Sequence, residues 1–359
     1  MSSRPISFAP SAADFGRALG DLGASDLVFL MRQCLERGAH DQVELLYQAL
    51  GDRFPHEPSL GLCAAVARFV SGDRETALRD VEHVLSVRPN DLNALSVAAE
   101  MRARANDVPG ATDALRRLVT RYPDYPGAQP ALAKLLMPGP PYRDVLRSIH
   151  RLLSPRTYLE IGVESGATLS LATTAQIAIG VDPAETPIEH PLPAGARVVR
   201  KPSDQFFAEN RRETVFGPRP LDLVFIDGMH LFEFALRDFI NAEAWCHAGS
   251  TIVLHDCVPL ARAAAERERT TRFWVGDTWK AVWALSRKRP DLKIRTLLTP
   301  PSGLVIVRRL DPSSTLLRDS FPEIETELAP LGYDHDPGDW PEELSVVPNT
   351  PEGLAEALG

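Results

Sequence analysis

A period of 34 residues in the first third of the chain narrows the fold more than any other feature. The segments RFP, VRP and RYP end at Pro55, Pro89 and Pro123, each 34 residues after the one before. The polar turns upstream of these prolines repeat at the same offset. A repeat of this length buries its apolar stripe only by stacking on its neighbours, and three units are about the minimum for stability. We therefore predict stacked helical repeats over about residues 22–123.

Small residues recur inside these units, with Ala77 and Ala111 at matching positions and Val43 in the first unit. A 34-residue helix–turn–helix period that ends in proline resembles the tetratricopeptide repeat, although the large aromatic residue of that family near the start of each first helix is missing. The resemblance implies an all-α domain, which we place at residues 1–137. It also implies a docking or dimerisation surface, so a partner protein or a second copy of the chain is the candidate ligand.

The stretch MPGPPYRD, rich in proline and glycine, predicts a domain boundary near Pro138. Five short apolar runs then alternate with helix-length spacers in most places: TYLEIGV, IAIGVDP, ARVVR, LDLVFIDG and STIVLHD. This alternation predicts an α/β domain with a doubly wound parallel sheet over residues 138–310. Ligands of such sheets bind beyond the carboxyl ends of the strands, so the residues that follow each run are the candidate site residues.

Residues 311–359 differ from the rest in charge. They carry 12 acidic residues and one basic residue, whereas the preceding chain has 38 basic and 36 acidic residues. Proline, acid and few apolar side chains predict a loosely packed C-terminal extension. Because the rest of the chain is nearly neutral, it lacks the basic surface of a nucleic-acid-binding protein.

The sequence also predicts where the protein works. No apolar run reaches the ~20 residues of a membrane-spanning helix, and MSSRPISFAPSAADFGRALG lacks the apolar segment of a secretory signal. The four cysteines are far apart without a CxxC pair, which excludes a zinc ribbon and a disulfide framework. We expect a cytoplasmic protein whose partners include neither a membrane nor nucleic acid.

The first strand end reads LEIGVESGATLSLA, in which Gly162 and Gly166 allow a tight loop against a ligand. A dinucleotide site would need G-x-G-x-x-G, but Glu164 replaces the second glycine and Glu160 precedes the loop. Two like charges ~4 Å apart repel by ~4 kcal/mol at an effective dielectric near 20, so these carboxylates would disfavour a pyrophosphate. A cofactor that carries a sulfonium and an ammonium fits better. Asp182, after the next strand, could accept hydrogen bonds from both ribose hydroxyls. Together, these features favour S-adenosylmethionine as the cofactor.

Two further strand-end features have more than one interpretation. Ser203 and Asp204 follow the third strand, where they could contact the amino group of adenine or begin a helix. Thr168 or Ser165 could cap a helix after the first strand.

The stretch DLVFIDGMHLFEFALRDFINAEAWCHAGSTIVLHD resembles a segment of the class I methyltransferases. It is closest to the branch of small-molecule and sugar O-methyltransferases that includes the macrocin and mycinamicin types, and the likeness runs from about Leu153 to Arg309. The residues that match this branch are Asp227, Gly228, His230, Asp238, Gly249, His255 and Asp256. The resemblance implies methylation of a hydroxyl group on a small molecule or sugar, with S-adenosylmethionine as the methyl donor.

The matching residues also have a direct chemical interpretation. Asp227 and Asp256 follow neighbouring strands, so they could converge on a divalent cation, magnesium by default or manganese. His230 is then the natural general base for the acceptor hydroxyl, with Asp227 beside it. His255 is either a third metal ligand or a hydrogen-bond donor to a carbonyl, and a nitrogen ligand would favour manganese, iron or zinc. Catechol-type relatives carry an Asn ligand where this chain has Cys257.

Some nearby residues are interpreted as structural. Asp238 lies in the middle of a predicted helix, where we expect it to be solvated or to pair with another helix. Trp279 and Trp283 are four residues apart and predict a core-facing stripe. Trp274 and Asp277 lie in the preceding loop and could line the acceptor pocket.

Three other functions stay open at this point. The chain could be a protein methyltransferase that docks its substrate on the repeats, or a repeat scaffold with a non-catalytic methyltransferase-like domain. It could also be a non-methylating relative, because the same branch contains proteins named as cephalosporin hydroxylases. A metal site suits hydroxyl activation better than an amine nucleophile, and no [DN]-P-P-[YF] motif for nitrogen methylation follows the fourth strand.

Overall fold

The computed structural model describes residues 12–359, without the side chains of Asp14 and Phe15. Residues 1–11, which belong to the predicted helical domain, lie outside the described residues. The chain forms two compact units that divide between Tyr122 and Pro123. Every helix within residues 12–359 is too short or too polar to cross a membrane.

The described part of the first unit, residues 12–122, is helical. Its helices are α1 (Ala12–Ala18), α2 (Ala24–Glu36), α3 (His40–Leu50), α4 (Pro58–Ser71), α5 (Arg74–Val87), α6 (Leu92–Arg104) and α7 (Val108–Arg121), with a 3-10 turn at Gly51–Arg53. Helices α2, α4 and α6 begin 34 residues apart, and so do α3, α5 and α7. The period found in the sequence therefore recurs in the helix boundaries.

Residues at equivalent positions of successive repeats have the same structural role in this unit. Val43, Ala77 and Ala111 are fully buried, one each in α3, α5 and α7. The carboxylates of Asp73 and Asp107 cap the N-termini of α5 and α7 at the same place in the repeat. The described part of the unit, residues 12–122, contains helices and no strand, and its membership of the tetratricopeptide family stays a prediction.

The second unit, residues 123–359, is built on one eight-stranded sheet. Its strands are β1 (Thr157–Ile161), β2 (Ile177–Val181), β3 (Ala196–Val199), β4 (Leu221–Ile226), β5 (Cys246–His255), β6 (Lys293–Leu297), β7 (Leu304–Arg308) and β8 (Val346–Val347). The strand order is β3-β2-β1-β4-β5-β7-β6-β8. Strands β1 to β5 pair in parallel, whereas β7 is antiparallel to both of its neighbours. The predicted α/β sheet is confirmed, with β1 to β5 at the five predicted runs.

The second unit, residues 123–359, also contains nine α-helices. They are α8 (Ala128–Leu136), α9 (Tyr142–Leu153), α10 (Ser203–Glu209), α11 (Arg212–Phe216), α12 (Phe232–Glu243), α13 (Trp279–Lys288), α14 (Leu316–Asp319), α15 (Phe321–Leu328) and α16 (Pro351–Leu358). Between β1 and β2 the described chain makes only a 3-10 turn, Leu169–Leu171, where the sequence predicted a helix.

The domain boundary predicted near Pro138 lies inside the second unit, because α8 already belongs to that unit. The proline-rich segment is held there by hydrogen bonds. The side-chain amide of Asn349 donates to the Pro140 carbonyl (2.9 Å), and the Tyr142 amide donates to the Pro300 carbonyl (3.2 Å). Prolines here mark irregular backbone that is fixed by its partners rather than a linker between domains.

The acidic segment after residue 310 was predicted to be loosely packed, and the structure corrects this. Val346 and Val347 form β8, which pairs with β6 at the edge of the sheet. Leu354 and Ala357 of α16 belong to the same buried cluster as the sheet residues. A three-residue spacing of apolar side chains suffices to pack one face of a short helix, even where the overall composition is acidic.

Removal of residues 311–359 is therefore expected to destabilise the second unit strongly. Each fully buried apolar side chain contributes about 1.5–3 kcal/mol, and the loss of β8 also exposes the edge of β6. A fragment of residues 123–359 should unfold cooperatively on heating, whereas a fragment of residues 123–310 should melt about 10–20 °C lower or without a transition. Equal melting temperatures in a thermal scan would refute the packing role of the tail.

Candidate active site

A cavity of about 740 Å³ lies at the carboxyl ends of the parallel strands, and its volume is typical of small-molecule sites. Predicted site residues that line it are Gly162, Asp182, Ser203, Asp227, His230, His255 and Asp256. Other residues that line it include Tyr142, Arg143, Glu164, Phe234, Asp238, Arg272 and Trp274. Three predicted cofactor-binding residues, Glu160, Gly166 and Asp204, are not part of its lining.

The loop after β1 approaches the β4 loop more closely than a side chain would allow. Gly162 has a φ of +86°, and a Cβ there would lie 1.9 Å from the Asp227 carbonyl oxygen. Glycine is required at this position because any other residue would push the two strand ends apart. Gly166 also has a positive φ of +85°, but it shapes the turn against Ile188 outside the cavity.

Asp182 binds backbone amides of the loop that follows β1. One of its carboxylate oxygens accepts hydrogen bonds from the Val163 and Glu164 amides (2.8 and 2.9 Å), and the other accepts from the Ala184 amide (2.8 Å). Such loop amides, with a helix N-terminus, hold the pyrophosphate in dinucleotide sites. Here the amides are already bonded and only a 3-10 turn follows. The Val163 and Glu164 amides are therefore not available to a pyrophosphate, whereas the carboxylate of Asp182 has further lone pairs that can accept hydrogen bonds.

Glu160 points away from the cavity, which corrects its predicted contact with the cofactor. Its carboxyl is fully buried and accepts hydrogen bonds from the Tyr158 hydroxyl (2.6 Å) and the Thr168 hydroxyl (2.8 Å). Burial raises the pKa of Glu160 to about 8. The carboxyl of Glu160 is largely neutral at pH 7. The prediction that Glu160 would repel a pyrophosphate through its charge is therefore wrong. Thr168 supports this carboxyl instead of capping a helix.

Glu160→Gln is expected to change how stability depends on pH. A carboxyl that titrates at 4.5 in the unfolded chain and at about 8 in the folded protein contributes stability below pH 4.5, and that contribution is lost as pH rises to about 8. Glutamine does not titrate, so the variant should gain roughly 3–5 kcal/mol relative to the wild type between pH 5 and pH 9. Denaturant unfolding at several pH values measures this.

The matched control is Glu164→Gln, because Glu164 is exposed in the loop that follows β1. Its unfolding free energy should follow that of the wild type at every pH. Parallel curves for Glu160→Gln and the wild type would instead mean that Glu160 is ionised in the fold.

The residues after β3 separate into two roles. Ser203 is the first residue of α10 and lines the cavity. Asp204 turns away and forms an ion pair with Arg237 (3.1 Å), so its predicted contact with adenine is not supported. Asp238 was expected to be solvated or to pair with another helix. It is not solvated, because only 2% of it is exposed, and it lines the cavity with Ser203 of α10 as its hydrogen-bonding neighbour.

Asp227, His230 and Asp256 converge at the centre of the site. The Nε2 atom of His230 lies 3.1 Å from Asp256 Oδ2 and 3.6 Å from Asp227 Oδ1. Burial opposes protonation of His230, but the nearby carboxylates of Asp227 and Asp256 raise its pKa above the usual value. Burial would likewise raise the pKa of Asp227, yet His255 and His230 hold it well below its usual range.

His255 lies behind this cluster and has both ring nitrogens occupied. Its Nδ1 is 3.2 Å from Asp227 Oδ1, and its Nε2 is 3.3 Å from the Ser302 hydroxyl. Because that hydroxyl donates its hydrogen to Asp256, it can only accept from His255. Both nitrogens must then carry a proton, in line with the two carboxylates that overcome burial and raise the pKa of His255 to about 9. A doubly protonated imidazole cannot bind a metal, so the structure does not support the predicted ligand role of His255.

The loop before α13 orients His230. Trp274 stacks on the imidazole (ring centroids 5.3 Å apart), and its carbonyl oxygen lies 3.2 Å from His230 Nδ1. The Asp277 amide donates to the His230 carbonyl (3.1 Å), an approach that Gly276 permits with a φ of +60°. Trp274 lines the cavity as predicted, whereas Asp277 is buried in an ion pair with Lys280.

The donor set fits a divalent cation. Within the described residues, one ligand atom each from Asp227, His230 and Asp256 lie within 4.8 Å of one another. Two carboxylates and one imidazole suit manganese well and magnesium with added oxygen ligands. Cys257 adds no ligand, because its thiol is buried and donates to the His255 carbonyl.

The comparisons with known proteins agree with this geometry. Residues 159–257, which contain β1 to β5 almost completely, match a family described as "Methyltransferase domain". The chain thus contains a methyltransferase domain, and the prediction of a methyltransferase is confirmed. No curated protein matches the chain significantly.

The solved structures that resemble this chain include three methyltransferases. The tomaymycin-synthesis O-methyltransferase TomG from Streptomyces achromogenes, in complex with SAM, is 16% identical with a TM-score of 0.38, over 47% of this chain and 80% of that one. The O-methyltransferase from Bacillus cereus in complex with SAH is 14% identical with a TM-score of 0.36, over 54% and 96%. The SAH-bound methyltransferase PaMTH1 from Podospora anserina is 14% identical with a TM-score of 0.38, over 56% and 89%. These values are too low to transfer an activity.

Proposed function

We propose that this protein is an S-adenosylmethionine-dependent O-methyltransferase that acts on a hydroxyl of a small molecule or sugar. The observation that carries the proposal is a single cavity with two specialised ends. At one end, the Asp182 carboxylate accepts hydrogen bonds from two loop amides that could otherwise bind a pyrophosphate. At the other end the Nε2 of His230 faces Asp227 and Asp256. The family match of residues 159–257 supports methyl transfer as the reaction.

The cofactor end favours a cation over a phosphate. When bound, S-adenosylmethionine would supply a methyl group on a positively charged sulfur, and this methyl group would pass to the acceptor oxygen while the sulfur leaves as the neutral thioether of S-adenosylhomocysteine. Asp182 would accept hydrogen bonds from the ribose hydroxyls with its remaining lone pairs. Glu164 and Asp227 add negative charge to the cavity wall, which attracts a cationic ligand.

His230 has the geometry of a general base. A carbonyl only accepts hydrogen bonds, so the Trp274 oxygen fixes the proton of the neutral imidazole on Nδ1. The lone pair of Nε2 is then free to take the proton of an acceptor hydroxyl. Once protonated, Nε2 would donate to Asp256 at 3.1 Å, which stabilises the imidazolium that forms.

A divalent cation is part of the proposal. Asp227 and Asp256 would hold magnesium or manganese, with His230 either as a third ligand or as the base. The ion would polarise the acceptor hydroxyl and lower its pKa.

The cofactor prediction is tested by calorimetry. S-adenosylhomocysteine should bind to the protein and NAD should not, because the loop amides have no capacity left for a pyrophosphate. Asp182→Ala should weaken S-adenosylhomocysteine binding by roughly 1.5–3 kcal/mol, through loss of hydrogen bonds to a charged group. The control is Glu185→Ala, an exposed acid that does not line the cavity. Binding of NAD without a response to S-adenosylhomocysteine would refute the proposal.

The alternative of a protein methyltransferase that docks its substrate on the repeats has one supporting observation. The first unit contains a groove of about 780 Å³, lined by residues that include Tyr47, Phe54, His56, His83 and Arg88. A fragment of residues 123–359 separates the alternatives. It should methylate a small acceptor as fast as the full chain does, but it should fail on a protein substrate that needs the groove.

A further inference from the structure

Asp238 is a buried carboxyl that faces the cavity and has no role in the mechanism above. It lies in α12, and only 2% of the residue is exposed. A Cβ placed on Gly228 would lie 3.8 Å from its Oδ2 atom, so the carboxyl sits beside the turn that follows β4. A charged or polar group is rarely buried at a cavity wall without a partner, because its desolvation is costly.

The protein itself supplies little compensation for this carboxyl. Ser203 is its hydrogen-bonding neighbour, and burial raises the pKa of Asp238 to about 7. Arg237, the next residue in the chain, is paired with Asp204 at 3.1 Å. Among residues 12–359, no lysine, arginine or histidine forms an ion pair with Asp238. The carboxyl therefore has hydrogen-bonding capacity to spare on its cavity side.

The surroundings of Asp238 suit a flat aromatic ring. Phe234 lies one turn earlier on the same helix and also lines the cavity. Pro183 and Ala184 line it just beyond Asp182, the residue proposed to hold the ribose, and Pro202 lines it before α10. Phe234, Pro183, Ala184 and Pro202 thus give the cavity apolar wall surface against which a flat ring can pack.

We propose that Asp238 binds the exocyclic amino group of the adenine ring and so selects the nucleobase of the cofactor. The inference rests on the proposed function, because it assigns one end of the same cavity. It replaces Asp204, which the sequence suggested for this contact and which is engaged with Arg237.

The chemistry of the 6-position makes this contact selective. The amino group of adenine donates a hydrogen bond to a carboxylate oxygen. Hypoxanthine carries a carbonyl at that position, whose lone pairs would face those of the carboxylate. Asparagine in place of Asp238 removes this conflict, since its amide oxygen accepts from the amino group and its NH₂ donates to the carbonyl.

The experiment compares S-adenosylhomocysteine with S-inosylhomocysteine by calorimetry at about pH 8.5, where the carboxyl of Asp238 is ionised. The wild type should bind the adenine form at least about 10-fold more tightly, since a site built to hydrogen-bond a donor rejects an analogue that lacks it. Asp238→Asn should reduce the preference to about 1–3-fold, mainly by gaining affinity for the inosine form. Asp204→Asn should keep the wild-type preference.

Each other outcome overturns the assignment. A wild-type preference retained in Asp238→Asn, or lost in Asp204→Asn, refutes the role of Asp238. Equal binding of both ligands to the wild type refutes it as well and leaves the proposed function intact. Failure of the wild type to bind either ligand refutes the proposed function and the inference together. Retained S-adenosylhomocysteine binding by Asp238→Asn shows that the variant is folded.

Discussion

His230→Ala is expected to slow methyl transfer by about 10²–10⁴-fold, the usual contribution of a positioned base, with nearly unchanged affinity for S-adenosylhomocysteine. The reason is that the Nε2 of His230 lies among Asp227 and Asp256, whereas Asp182 holds the opposite end of the cavity. Single-turnover transfer from labelled S-adenosylmethionine to a hydroxylated acceptor measures the rate, and calorimetry measures the affinity.

The pH profile gives this prediction a second measurement. The pKa of His230 is raised, so the wild-type rate should fall as pH drops through a value above 6.5, where the imidazole becomes protonated and can no longer accept a proton. His230→Ala should lack this acid limb. His190→Ala, a change at an exposed histidine outside the cavity, should keep it. A variant with the wild-type rate and profile would exclude His230 as the base.

Chelation of divalent cations is expected to abolish turnover and to leave the affinity for S-adenosylhomocysteine nearly unchanged. Asp227 and Asp256 are at the acceptor end of the cavity, so loss of an ion there should not disturb the end near Asp182. Magnesium or manganese should restore activity. Asp256→Asn should raise the metal concentration required, because one anionic ligand is lost. Titration of manganese into the protein by calorimetry gives a readout that does not depend on an acceptor.

Asp144→Asn, a change at an exposed acid on α9, is the control for this series and should behave like the wild type. Full activity in chelator, with Asp227→Asn and Asp256→Asn both tolerated, would show that these acids only orient their neighbours. His230 would then act alone as the base.

Much of the sheet could be predicted from local sequence. Strands β1, β2 and β4 are short apolar runs, because parallel strands are covered on both faces. Strand β6, KIRTL, alternates polar and apolar residues next to the edge, and β8 has only two residues, so neither was predicted. The helix expected after β1 is a 3-10 turn, and the Thr168 hydroxyl, which was expected to cap that helix, donates a hydrogen bond to Glu160 instead.

The candidate site likewise contains residues that could be predicted from local sequence and residues that could not. Asp227 and Asp256 could be predicted to converge because each follows a strand in a parallel sheet. The state of His255 depends on Ser302, a partner 47 residues further along the chain that no local pattern indicates. The position of Asp238 depends on which face of α12 packs against the sheet. Glu160 was assigned to the cofactor by its place in a motif, and the structure buries it beneath the loop.

The participation of β8 and α16 in the sheet has a consequence for biosynthesis. The first compact unit ends at Tyr122, so its own residues can fold while the ribosome is still translating the second unit. The second unit lacks a sheet strand and part of its core until Ala357 has left the exit tunnel. Its apolar surface therefore stays exposed until β8 and α16 have been synthesised. Termination between residues 311 and 345 would release a chain with a complete first unit and an aggregation-prone second unit.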